Sequence, residues 1–436
     1  MHDFILREIK DTDIACEIEK IGFDKSYIHK VCEKFDYKNI KIYSLTPAQA
    51  NIIKQTAISV GADCATHREV ITGKIETSDC ILGGSVSQIK KIAEKLKFQP
   101  FGLKMLGENL LDLMSKAAKQ PGSYEAKNLE EQRSGRQEDK LFNDSNIGRI
   151  SQHQQTDTAL SPYRLNAISP SDKNPSTYKS LPSIVGILNI TNNSFSDGGM
   201  YNDFESAKKH LEEMINDGAD IIDIGAESTK PYSSPISDEE QLKKLLPVIE
   251  FAKEKIPLSI DTRSAKVAEE CLKAGATVIN DVSGFDYDKK MVDIISKYNC
   301  PVIIQHSKGT PENMQENPQY GDVIEEIYLE LYKKCQFAKS KGIENIIVDP
   351  GIGFGKTREN NFEIIRRVEE FKSLGYPVML GISRKSFLQM EDNNERDIFT
   401  VAINALAVER KVDYIRVHNV KMHRALVDLM KMFVVG

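Results

Sequence analysis

The sequence predicts an α/β chain whose main body is a (β/α)8 barrel. Two observations carry this. From residue 183 onward, eight short β-branched runs alternate with amphipathic helical stretches. The runs are apolar on both faces, as strands must be in a parallel sheet covered by helices. Eight such units in roughly 250 residues also match the size of a TIM barrel. A third observation sets the domain plan: the composition changes twice, near residues 118 and 182. The expected order is an α/β domain of unknown role over 1–117, a disordered polar linker over 118–182 and the barrel over 183–436.

The first region carries mixed periodicities. The stretch "AQANIIKQTAISVGA" (48–62) has helical spacing, and "CILGGSVSQIKKIAEKLK" (80–97) reads as a strand, a Gly turn and a helix. The turn "LGGSVS" lacks the Lys and Gly spacing of a phosphate loop, so Ser is expected to cap a helix there. The second region is rich in Ser, Gln, Asn, Lys and Pro with isolated apolar residues. Such a segment buries too little apolar surface to offset the entropy of ordering it.

In the third region the strand runs are "IVGILNI" (184–190), "ADIIDIG" (219–225), "PLSID" (257–261), "TVIND" (277–281), "PVIIQH" (301–306), "NIIVD" (345–349), "PVMLG" (377–381) and "YIRVH" (414–418). Helical stretches such as "FESAKKHLEEMINDG" separate them, with apolar residues three and four apart. A doubly wound open sheet is the structural competitor, but no Gly-rich dinucleotide turn follows any strand.

Composition excludes several function classes. A net charge of −6 and a pI near 5.9 argue against a general nucleic-acid binder. Seven scattered Cys, with no closely spaced pair, fit reduced thiols better than a disulfide framework or a zinc site. No segment is apolar for the length a bilayer requires, so a cytoplasmic protein without membrane contact is expected.

Polar residues collect where the strands end, which in a barrel is the active face. They are Asn189, Glu227 and Thr229, Asp261, Asn280 with Asp281, His306, Asp349, Ser383 with Lys385, and Arg416 with His418. Each has a structural reading as well: Asp261 can cap a helix, Asp349 can shape a turn before Pro350, and Asn280 can satisfy buried backbone. Their convergence on one rim favours a site. Asp261, Asn280 and Asp349 suit a flat heterocycle that presents several N–H groups. Thr229, Lys230, Arg384, Lys385, Arg416 and His418 suit a phosphate-bearing group.

Seven ordered motifs then narrow the choice: "GILNITNNSFSDGG" (186–199), "DIGAESTKP" (223–231), "SIDT" (259–262), "VINDVSG" (278–284), "DPGIGFGK" (349–356), "GISRKSFL" (381–388) and "RVHNV" (416–420). In these the chain resembles the dihydropteroate synthases of folate biosynthesis, the sulfonamide target, over about 183–436. The resemblance implies a transferase that joins 6-hydroxymethyl-7,8-dihydropterin diphosphate to 4-aminobenzoate, giving 7,8-dihydropteroate and pyrophosphate with Mg²⁺. It implies that Asp261, Asn280 and Asp349 hold the pterin with Lys385. Thr229, Arg416, His418 and Asn189 would surround the diphosphate, Asn189 also offering an oxygen to Mg²⁺, and Lys230 is a further substrate-binding residue. A mobile lid over 191–200 would build the 4-aminobenzoate pocket, with Phe195 and Pro231 about the ring, Phe354 in the pocket wall, Ser386 at the carboxylate and Asp197 facing a pterin cation. The implied mechanism is dissociative, with Lys385, Asp197, Arg416 and His418 as its principal residues. Asn192, Asn193, Lys230 and Asn419 depart from the common family pattern.

Two other functions share the pterin contacts. One is a non-catalytic pterin-binding or scaffolding homologue; the other is a methyltetrahydrofolate:corrinoid methyltransferase, which has no use for the diphosphate residues. Family members are commonly dimers, so a homodimer is an expectation that no residue in the sequence locates.

Overall fold

Amphipathic stretches and β-branched runs become helices and strands in two units of the computed structural model, which describes residues 14–119, 181–190, 199–227, 236–309, 314 and 316–435. The units comprise residues 14–119 and 181–435 among those described, and each has its own apolar core. The linker predicted from composition falls almost wholly outside the described residues.

The first unit contains α1 (Ile14–Lys20), α2 (Ile28–Cys32), β1 (Tyr37–Leu45), α3 (Pro47–Ile58), β2 (Asp63–Thr66), β3 (Ser78–Ser85), α4 (Val86–Leu96) and α5 (Leu103–Lys119). Its strands form an antiparallel sheet in the order β1-β3-β2. Ile53, Leu82, Ile89, Ile92 and Leu96 are fully enclosed between sheet and helices. Each contributes about 1.5–3 kcal/mol through burial of its side chain. The Gly turn expected in "LGGSVS" does not form: Gly83 and Gly84 lie inside β3, opposite Asn39 and Lys38. A Cβ at Gly83 would sit 2.7 Å from the Tyr37 hydroxyl and 3.1 Å from Asn39 Oδ1, so a larger residue there would have to displace these two side chains. Ser85 does cap α4, in a reciprocal capping box with Gln88.

The second unit runs β4 (Ser183–Asn189), α6 (Gly199–Asn216), β5 (Ile221–Gly225), α7 (Asp238–Ala252), β6 (Leu258–Asp261), α8 (Ala265–Ala274), β7 (Val278–Asp281) and α9 (Met291–Tyr298). It continues β8 (Val302–Gln305), α10 (Val323–Ser340), β9 (Ile346–Asp349), α11 (Arg358–Arg366), β10 (Met379–Leu380), α12 (Asn393–Glu409), β11 (Tyr414–Val417) and α13 (Val420–Val435). Eight parallel strands follow the order β10-β11-β4-β5-β6-β7-β8-β9. A parallel bridge between Val348 and Val378 joins β9 to the start of β10 and closes the ring. The closed sheet with helices outside is the (β/α)8 barrel expected from the alternating runs.

Both strand faces are apolar at the lower end because both are buried. Outward residues such as Ile222, Ile260, Ile279 and Ile304 pack with Leu211, Leu245, Val267 and Ile327 of the helices. Inward residues Val185, Ile221, Val278, Ile303, Ile347, Met379 and Tyr414 form a separate plug that fills the barrel floor. No helix among the described residues is long and apolar enough to cross a membrane.

Candidate active site

Side chains two residues apart on a strand share a face, so the layer above the apolar plug is set by sequence. Moving two positions on from Ile221, Val278, Ile303, Ile347 and Tyr414 gives Asp223, Asn280, Gln305, Asp349 and Arg416. Asp261 follows Ser259 on β6 in the same way. The barrel interior thus changes abruptly from hydrocarbon to carboxylate, amide and guanidinium. All of the acids and amides in this layer are buried, and such groups require partners.

The partners are largely one another. Arg416 donates from Nε to Asp223 Oδ2 and from Nη2 to Asp261 Oδ2, each at 2.6 Å. Asn280 donates from Nδ2 to the same Asp223 oxygen at 3.0 Å. Asp349 accepts from the Gly351 amide at 2.7 Å, so it does shape its turn, yet its other oxygen faces the interior beside Gly381. A Cβ placed on Gly381 would lie 3.9 Å from both that oxygen and Arg416 Cδ. The Lys385 ammonium sits 4.0 Å from the centre of the Phe354 ring. Farther round the same rim, a Cβ on Gly225 would be 3.4 Å from Asp261 and 3.5 Å from Asn189 Oδ1.

Three acids, Asp223, Asp261 and Asp349, thus share the interior with two cations, Lys385 and Arg416. Burial raises the Asp261 carboxyl to about 7 against the pull of Arg416, and the nearby Asp223 adds to the rise. Burial also raises Asp349, opposed by the Gly351 amide and by Lys385. Lys385 is brought down to about 8, first by burial and then by repulsion from Arg416. Arg416 remains protonated: burial opposes its charge, but Asp223 and Asp261 together outweigh that cost.

Asp261, Asn280, Asp349, Lys385, Arg416 and Phe354 therefore meet around one interior. Asp261 does not cap the following helix, since Ser264 caps α8. Asn189 stands exposed at the rim end of β4. His418 accompanies the group with a hydrogen bond between Nδ1 and Ser383 Oγ at 3.0 Å, and Ser383 also accepts from its backbone N–H. Burial and the neighbouring Arg384 and Arg416 lower His418 to about 3, so at neutral pH it is a neutral donor rather than a cation. Ser386 is exposed at the start of a short 3-10 turn, Ser386–Leu388. Phe195, Asp197, Thr229, Lys230 and Pro231, with Asn192 and Asn193, lie outside the described residues.

Several rim residues have other partners. Arg384 makes a two-pronged pair with Asp397 at 2.9 and 2.8 Å, and this corrects its assignment to a phosphate group. Glu227 is held by Arg263 at 3.1 Å through two nitrogens. Asp281 accepts from Ser283 and from the Phe285 amide and stabilises the turn after β7. Asn419 donates to Asp397 and accepts from the Met422 amide; the orientation of His418 comes from Ser383 instead.

Sequence reasoning passed over two residues. Asp223 sits inside an uninterrupted apolar run, where only the inward period from Ile221 reveals it. Lys356 is buried at the end of "DPGIGFGK", bonded to His306 Nδ1 at 2.9 Å, to Phe354 O at 3.0 Å and to His306 O at 3.4 Å. His306 is a satisfied interior histidine with Glu330 on its other nitrogen at 3.3 Å.

A closed parallel barrel with a buried donor-and-acceptor layer above an apolar floor is the arrangement of a (β/α)8-barrel protein whose site lies at the strand C-termini. The sequence profile of the family described as pterin binding enzyme matches residues 185–418. The dihydropteroate synthase of Clostridium beijerinckii is 46% identical over 245 residues, covering 54% of this chain and 88% of that protein. The crystal structure of the Yersinia pestis dihydropteroate synthase with a sulfonamide drug complex superposes with a TM-score of 0.56 at 33% identity, covering 59% of this chain and 96% of that one. A probable bifunctional folylpolyglutamate synthase/dihydropteroate synthase of Haloferax volcanii is 31% identical over 386 residues, which is 87% of this chain and 41% of that protein. That match extends well beyond the barrel. The chain belongs to the dihydropteroate synthase family of pterin-binding enzymes.

Proposed function

We propose that this chain condenses 6-hydroxymethyl-7,8-dihydropterin diphosphate with 4-aminobenzoate by a dissociative route in which its own interior acids hold the pterin. The observation that supports it most directly is the buried set Asp261, Asn280 and Asp349 beside Lys385 and Arg416. Asp349 would accept two N–H groups of the aminopyrimidine edge, and Asn280 and Asp261 would take further polar atoms of the ring. Lys385, already lying on Phe354, would close over the ring and its oxo edge.

The C–O bond between the pterin methylene carbon and the diphosphate breaks first, and its electron pair leaves with pyrophosphate. Arg416, a permanent cation, would stabilise that leaving charge, with neutral His418 as a hydrogen-bond donor. The amine nitrogen of 4-aminobenzoate then forms the C–N bond and loses one proton. Exclusion of water protects the pterin cation in between.

Mg²⁺ belongs to the same proposal. Asn189 offers one exposed amide oxygen at the rim, and no group of three or more His, Cys, Asp or Glu suited to a metal occurs among the described residues. One protein oxygen fits an ion held mainly by diphosphate oxygens and water. When bound, it would neutralise diphosphate charge. Thr229 and Lys230 would assist at the diphosphate, Phe195, Pro231 and Ser386 at 4-aminobenzoate, and Asp197 near the cation. Homodimerisation is also proposed, supported by exposed apolar side chains on the last two helices, including Phe399, Leu429 and Phe433. Residence in a reducing cytoplasm is supported by free thiols at Cys64, Cys271, Cys300 and Cys335.

Pyrophosphate release from the pterin diphosphate, measured with and without 4-aminobenzoate, tests the function. Release that requires or is accelerated by 4-aminobenzoate, with dihydropteroate formed, is the expected result. Tight pterin binding without release under any condition would favour the scaffolding alternative.

A further inference from the structure

We propose that Asp223 is a positioning residue that fixes the orientation of the Asn280 amide, so that the pocket meets its substrate with a carbonyl at that point and selects a ring that offers an N–H. The inference rests on the pterin reading above and names a residue which that reading leaves unused.

Asp223 lies on β5, fully buried, and cannot reach solvent. Its Oδ2 receives Arg416 Nε at 2.6 Å and Asn280 Nδ2 at 3.0 Å. A guanidinium only donates, so the Asp223 oxygen that it touches serves as an acceptor, and Asn280 meets that same oxygen. Only the NH₂ end of the Asn280 amide can therefore face it, since the carbonyl end would set two oxygens against each other.

The consequence appears on the other side of the amide. Asn280 Oδ1 is buried and has no hydrogen-bond partner among the described residues. A buried acceptor left bare is unfavourable, and a ligand N–H arriving there satisfies it. A ligand carbonyl would meet it oxygen to oxygen. Asp223 acts through Asn280 and by holding one edge of Arg416 while the other reaches Asp261; its second oxygen, Oδ1, is likewise buried without a hydrogen-bond partner among the described residues. Replacing it by Asn leaves the shape unchanged but lets either end of the residue 280 amide face inward.

The test compares two bicyclic ligands by calorimetry: pterin, and lumazine, in which an oxo group replaces the 2-amino group. Wild-type protein should prefer pterin. In Asp223→Asn the pterin-to-lumazine preference should fall by about tenfold, with a lowered thermal midpoint because the buried Arg416 charge loses one of its two carboxylates. Asn280→Ala, which removes the orienting carbonyl altogether, should lower the same ratio and serves if Asp223→Asn folds poorly. In the double variant, Asp223→Asn should change the ratio no further, which an indirect packing defect would not reproduce. Equal loss of affinity for both ligands in Asp223→Asn, or an unchanged ratio in Asn280→Ala, overturns the inference while leaving the pterin reading intact. Wild-type protein that binds neither ligand overturns both.

Discussion

Asp349 carries a carboxylate into an interior where, among the described residues, only the Gly351 amide is bonded directly to it, and its other oxygen lies beside Gly381. Removing it takes away the charged acceptor for the aminopyrimidine edge. Asp349→Ala is expected to cost about 3 kcal/mol of pterin binding, roughly a hundredfold in Kd by calorimetry. Undiminished affinity would show that the heterocycle binds elsewhere. The two shifted groups nearby give a pH signature. Asp261 is raised to about 7, so its acceptor form in the free enzyme grows in as pH passes upward through that value. Lys385 is lowered to about 8, so its cation is lost above that value. The ratio kcat/KM should therefore rise through about 7 and fall beyond about 8, and Asp261→Asn should flatten the acid limb alone. A profile with no acid limb in wild type would show that Asp261 binds as its neutral form. The interior acids were legible because each ends a strand and carries a motif. Asp223 was not, since it stands in mid-strand between isoleucines rather than at the strand end, where only its inward register with Ile221 marks it. Arg384 misled for the opposite reason: its partner Asp397 lies 13 residues away on α12.

The strands were legible as elements because burial on both faces leaves no polar alternation to blur them. Their limits were less so: the run 377–381 contains a strand of only two residues, Met379–Leu380, because the chain turns into Gly381 and the Ser383–Lys385 bend. The loops after β8 and β9 are joined in a way that spacing does not reveal. Lys356 Nζ bonds to His306 Nδ1, His306 O and Phe354 O, so one buried amine, lowered to about 7 chiefly by burial, ties both loops together. Gly351, at φ +71°, brings the second loop so close that a Cβ would stand 1.9 Å from His306 O. Lys356→Met strands three acceptors at once and should lower stability by about 3 kcal/mol, with Lys356→Arg giving little rescue because the guanidinium does not fit an ammonium-sized space. Gly351→Ala should lose at least about 3 kcal/mol through overpacking and backbone strain together. Urea denaturation checks both, and a loss under 1 kcal/mol in either would mean that the two loops move apart without difficulty.

At the scale of the whole molecule, the two units differ in what they enclose. Among the described residues, the first unit buries Thr56, Ser78 and Ser85 as its polar side chains and no Asp, Glu, Lys, Arg or His. The barrel buries Asp223, Asp261, Asp349, Lys356 and His306 among others. Acid and base groups of shifted strength, which catalysis draws on, are thus concentrated in the barrel. The barrel also has its own core, and the Yersinia pestis enzyme, 96% of which is covered by the match, supplies a precedent for that fold as a separate chain. Deleting everything before Leu181 should therefore leave kcat/KM within about threefold of the full chain, because independent cores fold independently. The measurement is the pyrophosphate-release assay on both proteins, with circular dichroism to confirm that the shortened one is folded. A folded barrel that loses tenfold or more in kcat/KM would overturn this expectation and show that the first unit contributes to turnover.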